Sequence, residues 1–143
     1  MYKKAFISIV CIAVLLSFAG CGAEKASADI TGLVENHYDE IVAACENKDT
    51  QALLAIDGIS QVRVVDGYVL VYCQGAGIAT SSQDYGFYYT EENIPVGVGC
   101  TLEIVCNIDT MQPEGKGYRG VVHNNDFYTE QIRDNIYFYS NAY

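Results

Sequence analysis

The sequence has no tryptophan, no Cys-x-x-Cys pair and only two histidines, His37 and His123. Without tryptophan it lacks the broad indole face on which sugars stack. Without Cys-x-x-Cys, zinc-ribbon and thioredoxin-type sites lose their defining pair. A lone histidine makes neither a metal site nor a triad. Basic side chains are scarce as well: 8 Lys and Arg face 18 Asp and Glu, a formal net charge of −10. Such a chain repels phosphate backbones and anionic head groups, so nucleic acid is not an expected partner. Gly75-Ala76-Gly77 opens like a phosphate loop, but no helix follows to present its N-terminus, so a turn is expected. No cofactor and no metal are implied.

What is present begins with Lys3 and Lys4, an uncharged apolar run from Ala5 to Phe18, and the small residues Ala19 and Gly20 ahead of Cys21. That is the layout of an export signal. Phe18-Ala19-Gly20-Cys21 resembles the lipobox of bacterial lipoproteins, which usually carries leucine where Phe18 stands. The resemblance implies that residues 1–20 are a signal peptide and that Cys21 becomes the mature N-terminus. The resemblance further implies diacylglycerol and palmitate on that cysteine, and a protein expected to be extracytoplasmic, lipid-anchored to the bacterial cell membrane. Two acyl chains anchor stably where one is marginal. Two other readings remain open. An uncleaved anchor over Ala5–Ala23 is just long enough, though Gly20, Cys21 and Gly22 sit badly in a span. Ordinary secretory cleavage after Ala28 suits Ala26-Ser27-Ala28, though this site lies far from the apolar run.

Removal of residues 1–20 leaves 123 residues, enough for one core. Residues 21–28 read as a lipidated tether, and residues 29–143 as a single α+β domain. Ile30, Leu33, Val34, His37, Ile41, Ala44 and Cys45 recur at helical spacing behind an Asp29 cap. A second short helix is expected over Thr50–Ile56, capped by Asp49 or Thr50 and stopped by Asp57-Gly58. Asp66-Gly67 then predicts a two-residue hairpin pairing Val65 with Tyr68. That register puts Val62, Val64, Val69, Val71 and Cys73 on the buried face and Gln61, Arg63, Tyr68, Leu70 and Tyr72 on the other. Gly75–Asp84 reads as a loop, Tyr85–Thr90 as a strand, and Cys100–Ile108 as a half-buried strand with Cys100 and Cys106 on its apolar side. A turn over Met111–Gly117, a strand over Tyr118–His123, another turn at Asn124–Asp126 and a last strand at Ile136–Tyr139 follow. The expected fold is an N-terminal amphipathic helix, plus the short second one, packed on a curved antiparallel β-sheet. The opening helix resembles those of cystatin-like and nuclear-transport-factor-like domains. Those folds insert another helix between early strands, and nothing after Gly58 supplies one.

Gly77–Tyr89 followed by Glu91–Pro95 resembles a segment of small uncharacterised lipoproteins of Gram-positive gut bacteria, a group with no assigned activity. It implies the same anchored life and transfers no functional residue. Candidate ligand contacts come from the tyrosines concentrated in two strands, Tyr85, Tyr88 and Tyr89, and Tyr137 and Tyr139. Strand alternation must turn some of them outward, where a flat ring with a polar tip suits a ligand. Cys73, Cys100 and Cys106 are disulfide candidates in an oxidising compartment. The leading expectation is a non-enzymatic binding or interaction protein of the cell envelope, with a small-molecule or protein partner. The alternatives are an envelope structural or maintenance role without a small ligand, and an unfamiliar enzyme using His37 or His123 beside a second ionisable group.

Overall fold

The computed structural model describes residues 22–78, 81–99, 101–122 and 124–142, and among these the chain forms three α-helices and then nine strands, with a 3-10 turn at Ile108–Thr110. Helix α1 covers residues 22–36, α2 Tyr38–Glu46 and α3 Thr50–Leu54. The strands are β1 Gln61–Val65, β2 Tyr68–Ile78, β3 Ser81–Thr90, β4 Val96–Val98, β5 Ile104–Asn107, β6 Gln112–Glu114, β7 Gly117–Val122, β8 Asn125–Arg133 and β9 Ile136–Ala142. Seven of them make one antiparallel sheet in the order β1-β2-β3-β9-β8-β7-β6, and β4 pairs with β5 alone. The sheet is not strongly curled, in contrast to the curved sheet expected.

Residues 22–28, read from sequence as a tether, are helical, and Ala26 is buried within them. Asp29 therefore lies inside α1 and does not cap it. Gly22, Ala23, Ala26 and Ala28 look like linker in isolation, yet Ala23 and Ala26 pack on the helix-side core, where small side chains let the helix approach the sheet. The apolar stripe Ala26, Ile30 and Val34 continues through Ile41, Ala44 and Cys45 of α2 into one core with Val69, Val71, Phe87, Ile136 and Phe138. Asp49 caps α3, its Oδ1 accepting from the backbone N–H of Gln51 (3.1 Å) and of Ala52 (3.0 Å).

The hairpin has the expected register, Val65 opposite Tyr68 and Gln61 opposite Tyr72. Its second face is not open, however. Leu70, Tyr88, Tyr137 and Tyr139 are buried there beneath Val96, Val98 and Leu102, so the β4–β5 pair forms a third layer. The segment read as a loop at Gly75–Asp84 continues β2 and β3, paired from Gln74↔Tyr85 to Ile78↔Ser81. Weak strand formers are held there by the ladder rather than by propensity. Gln112–Glu114, inside an expected turn, is β6, and β8 was absent from the expected strands because Asp126, Thr129, Glu130 and Gln131 hide its alternation.

The Cys100–Ile108 strand is also corrected. Gly99 N–H donates to Glu103 O (2.8 Å) and Leu102 N–H to Gly99 O (3.0 Å), with Leu102 at φ 51°, so the strand begins only at Ile104. This arrangement buries Leu102 and leaves Ile104 exposed, so the alternation does not run through. Cys73 packs with the helix-side core, whereas Cys106 lies in β5 on the other side of the sheet. Cys45, Cys73 and Cys106 are free thiols. Residues 1–21, Cys100 and His123 lie outside the described residues.

Candidate functional site

The large apolar residues of α1 sit on one stripe, and the flank beside it carries Ala23, Ser27, Ala28, Thr31 and Gly32. That flank overhangs β7, β8 and β9 without filling the space above them. The result is a cleft of about 870 Å³, within the range of small-molecule sites. Its floor is Arg119, Tyr128, Glu130, Phe138 and Ser140, the helix-facing residues of three adjacent strands, and the β6–β7 turn with Glu114 and Lys116 forms the far wall.

Gly32 stands out among the cleft residues. A Cβ built there meets nothing within 4 Å, so no close packing demands a glycine. Glycine inside a helix is destabilising by roughly 0.5–1 kcal/mol relative to alanine. Gly32 lines the cleft, and packing does not require its lack of a side chain.

Polar groups converge across the floor. Glu130 accepts from Ser27 Oγ (2.8 Å, Oε1) and from Tyr128 OH (2.9 Å, Oε2), joining α1 to the sheet through a carboxylate. Desolvation, then donation to Glu130, pushes the Tyr128 hydroxyl up to about 12. Arg119 donates from Nε to Glu114 Oε2 (2.6 Å) and from Nη1 to Asp126 Oδ2 (2.5 Å), with its guanidinium 5.7 Å from the centre of the Tyr128 ring. The Arg119 hydrogen bond holds the Glu114 carboxyl below its ordinary value, and Glu114 in turn raises the arginine. One cation between two carboxylates leaves that group negative by one charge. With Glu24 and Glu130 against Lys116, the cleft is acidic overall.

The tyrosines expected to face a ligand are elsewhere. Tyr85, Tyr88, Tyr89, Tyr137 and Tyr139 are all buried, 0 to 7 % exposed, because helices cover one face of their strands and β4–β5 the other. They build the two cores, and none of them lines the clefts formed by the described residues. The cleft tyrosine is Tyr128 on β8. The one usable signal for it was the alternation of Tyr128 and Glu130 with Phe127 and Thr129, which becomes legible only once β8 is recognised as a strand.

His37 departs from the buried position expected on the helical stripe. It stands at the interruption between α1 and α2, at φ −121°, and its side chain is 42 % exposed. The break swings the ring outward, where Nδ1 lies 3.0 Å from Glu40 Oε2. The pair borders a depression of about 320 Å³ lined also by Glu35, Asn36, Tyr38, Asp39 and Arg133. Arg133 lies over the Tyr38 ring, 3.8 Å from its centroid, and reaches Glu35 at 3.4 Å. An imidazole oriented by a carboxylate is half of a general-base arrangement. The lining residues offer neither serine nor cysteine for it to activate. Among the described residues, no group of three or more His, Cys, Asp or Glu is placed to hold a metal ion, and no helix is long and apolar enough to cross a membrane. The chain matches no protein-family model, no curated protein and no solved structure.

Proposed function

We propose that this chain is a lipid-anchored, extracytoplasmic binding protein that receives a small amine-bearing molecule with an apolar body in the cleft beneath α1. The observation that carries the proposal is the cleft itself, open at Gly32 and lined by carboxylates beside Tyr128. Glu24 and Glu130 suit an ammonium group, and the half-buried ring of Tyr128 suits the apolar body. The acidic charge of the whole chain favours cations in the same direction.

The anchor belongs to the same reading. Ala23 on the cleft wall is two residues from Cys21, and two residues span at most about 7 Å. A lipid on Cys21 therefore puts the cleft mouth at the membrane surface, within reach of amphiphilic molecules that concentrate there. Two measurements test the parts separately. Cys21→Ala should leave an unlipidated precursor retaining residues 1–20, against a detergent-partitioning wild type that starts at Cys21. A soluble mature form starting at Asp29 would remove the anchor from the proposal. Calorimetric titration of the full chain with phenethylamine, phenylpropionate and phenylpropanol should give binding of the amine alone, lost in Glu130→Gln. Equal binding of all three would replace the charge reading with a purely apolar one.

A further inference from the structure

The seven-stranded sheet has two edges, and they are built differently. β6 is three residues long, centres on Pro113 and ends on Glu114. Shortness, proline and charge are the means by which sheet edges resist pairing with another chain. β1 is five residues long, has no proline, and pairs with β2 without a register shift. Its single charge, Arg63, is turned aside, with Nη1 donating to Thr101 O at 3.1 Å.

The two-residue turn sets which backbone groups of β1 are free. Val65↔Tyr68 closes the turn, so Val65, Arg63 and Gln61 bond inward to β2 and Val62 and Val64 direct N–H and C=O away from it. Among the described residues no hydrogen bond meets these outward groups. Nor is the edge bare to solvent on both sides. A groove of about 430 Å³ runs along Ser60, Gln61, Val62 and Arg63, with Leu54 of α3 on one rim and Thr101 and Leu102 on the other. The two outer layers thus overhang the first part of the sheet edge, with Val62 in the groove and Val64 just beyond it. Leu54 is 40 % exposed on that rim.

We propose that the β1 edge takes up an extended, net basic segment of another polypeptide as an eighth strand. Backbone bonds to Val62 and Val64 would supply the pairing. Side chains next to these valines fall on the side of Leu54 and are apolar; those opposite Arg63 are polar and uncharged. The basic character follows from the long-range field of a chain of net charge −10, while the groove's own lining carries Arg63 alone, which is why the positions opposite it are uncharged. The same net charge opposes a second copy of this chain. So does geometry: the register that joins Val62 of one copy to Val64 of the other sets Arg63 directly against Arg63.

The test uses the full chain in neutral detergent and a fluorescein-labelled heptapeptide, Lys-Val-Thr-Val-Thr-Val-Lys, read by fluorescence anisotropy at low salt. Saturable binding is expected, weakened at least tenfold when the three valines are N-methylated and when glutamates replace the two lysines. Val64→Pro removes an outward N–H that β2 does not use, so it should weaken binding at least tenfold while the thermal melt persists. Should that variant fail to fold, the N-methylated peptide still decides the matter. Equal binding of the N-methylated peptide, no saturable binding at all, or a dimer in sedimentation that the peptide cannot displace would each overturn the proposal. None of these outcomes bears on the cleft, which lies across the sheet at β7 and β8.

Discussion

Tyr88 and Tyr137 face each other from neighbouring strands, ring centroids 5.3 Å apart and ring planes 8° from parallel. The Tyr88 hydroxyl, wholly buried, lies 2.9 Å from Thr129 Oγ1 and accepts the Val96 N–H at 2.8 Å. One side chain of β3 thereby connects β4, β8 and β9, holding the outer strand pair on the sheet. Tyr88→Phe keeps the stack and strands the Val96 N–H without an acceptor. Leaving a buried donor unsatisfied costs about 1–3 kcal/mol. The expected result is a lower urea midpoint with an unchanged slope. Tyr137→Phe should cost less, since its hydroxyl is only partly buried and donates to Asn93 O in a loop (2.9 Å). Equal costs for the two variants would count against this assignment.

Alkaline pH should destabilise the fold through the helix-side core. Burial pushes the Cys45 and Cys73 thiols from 9.0 up to about 12, and the Glu46 carboxylate adds to the push on Cys45. Above pH 9 the unfolded chain releases these protons and the folded chain keeps them. Stability is therefore full below pH 9 and falls as pH rises toward 12, by about 1 kcal/mol per thiol at pH 10. Cys45→Ala should flatten that slope while lowering stability at pH 7. Both thiols should also react slowly with iodoacetamide at pH 8 until the chain is unfolded.

Removing residues 22–28 tests whether the segment is a tether or part of the fold. Ala26 is buried against the helix-side core, Ala23 packs at its margin, and Ser27 bonds Glu130. A chain starting at Asp29 should melt several degrees lower than one starting at Gly22 and expose Phe138 and Tyr128 to solvent. Identical melting curves would return the segment to the status of a linker.

Short-range signals carried much of the fold. Asp66-Gly67 was sufficient for the β1–β2 register, and Asp49 for the start of α3, because turn and cap chemistry act over two or three residues. The mixed helix-and-strand arrangement was legible from the change of period at Gly58. The third layer was not, since nothing local says that Val96, Val98 and Leu102 will close over Leu70 and Tyr88. Reading the strand tyrosines as outward-facing failed for that reason. The cleft was invisible in sequence for a related one: its walls come from residues 23–32 and its floor from residues 119–140, which only the tertiary fold brings together. Gly32, a glycine inside a helix that packing does not require, is a local sign, but it points to a cleft only once the floor strands are in place.

The most direct measurement of the central claim is a pair of substitutions at Gly32, followed by thermal melting with and without phenethylamine. Because a Cβ there meets nothing within 4 Å, Gly32→Ala should stabilise the chain by about 0.5–1 kcal/mol and keep the ligand-induced rise in Tm. Gly32→Leu should fold as stably as wild type yet lose that rise, its side chain occupying the cleft. If Gly32→Leu responds to the amine as wild type does, the cleft beneath α1 is not the binding site.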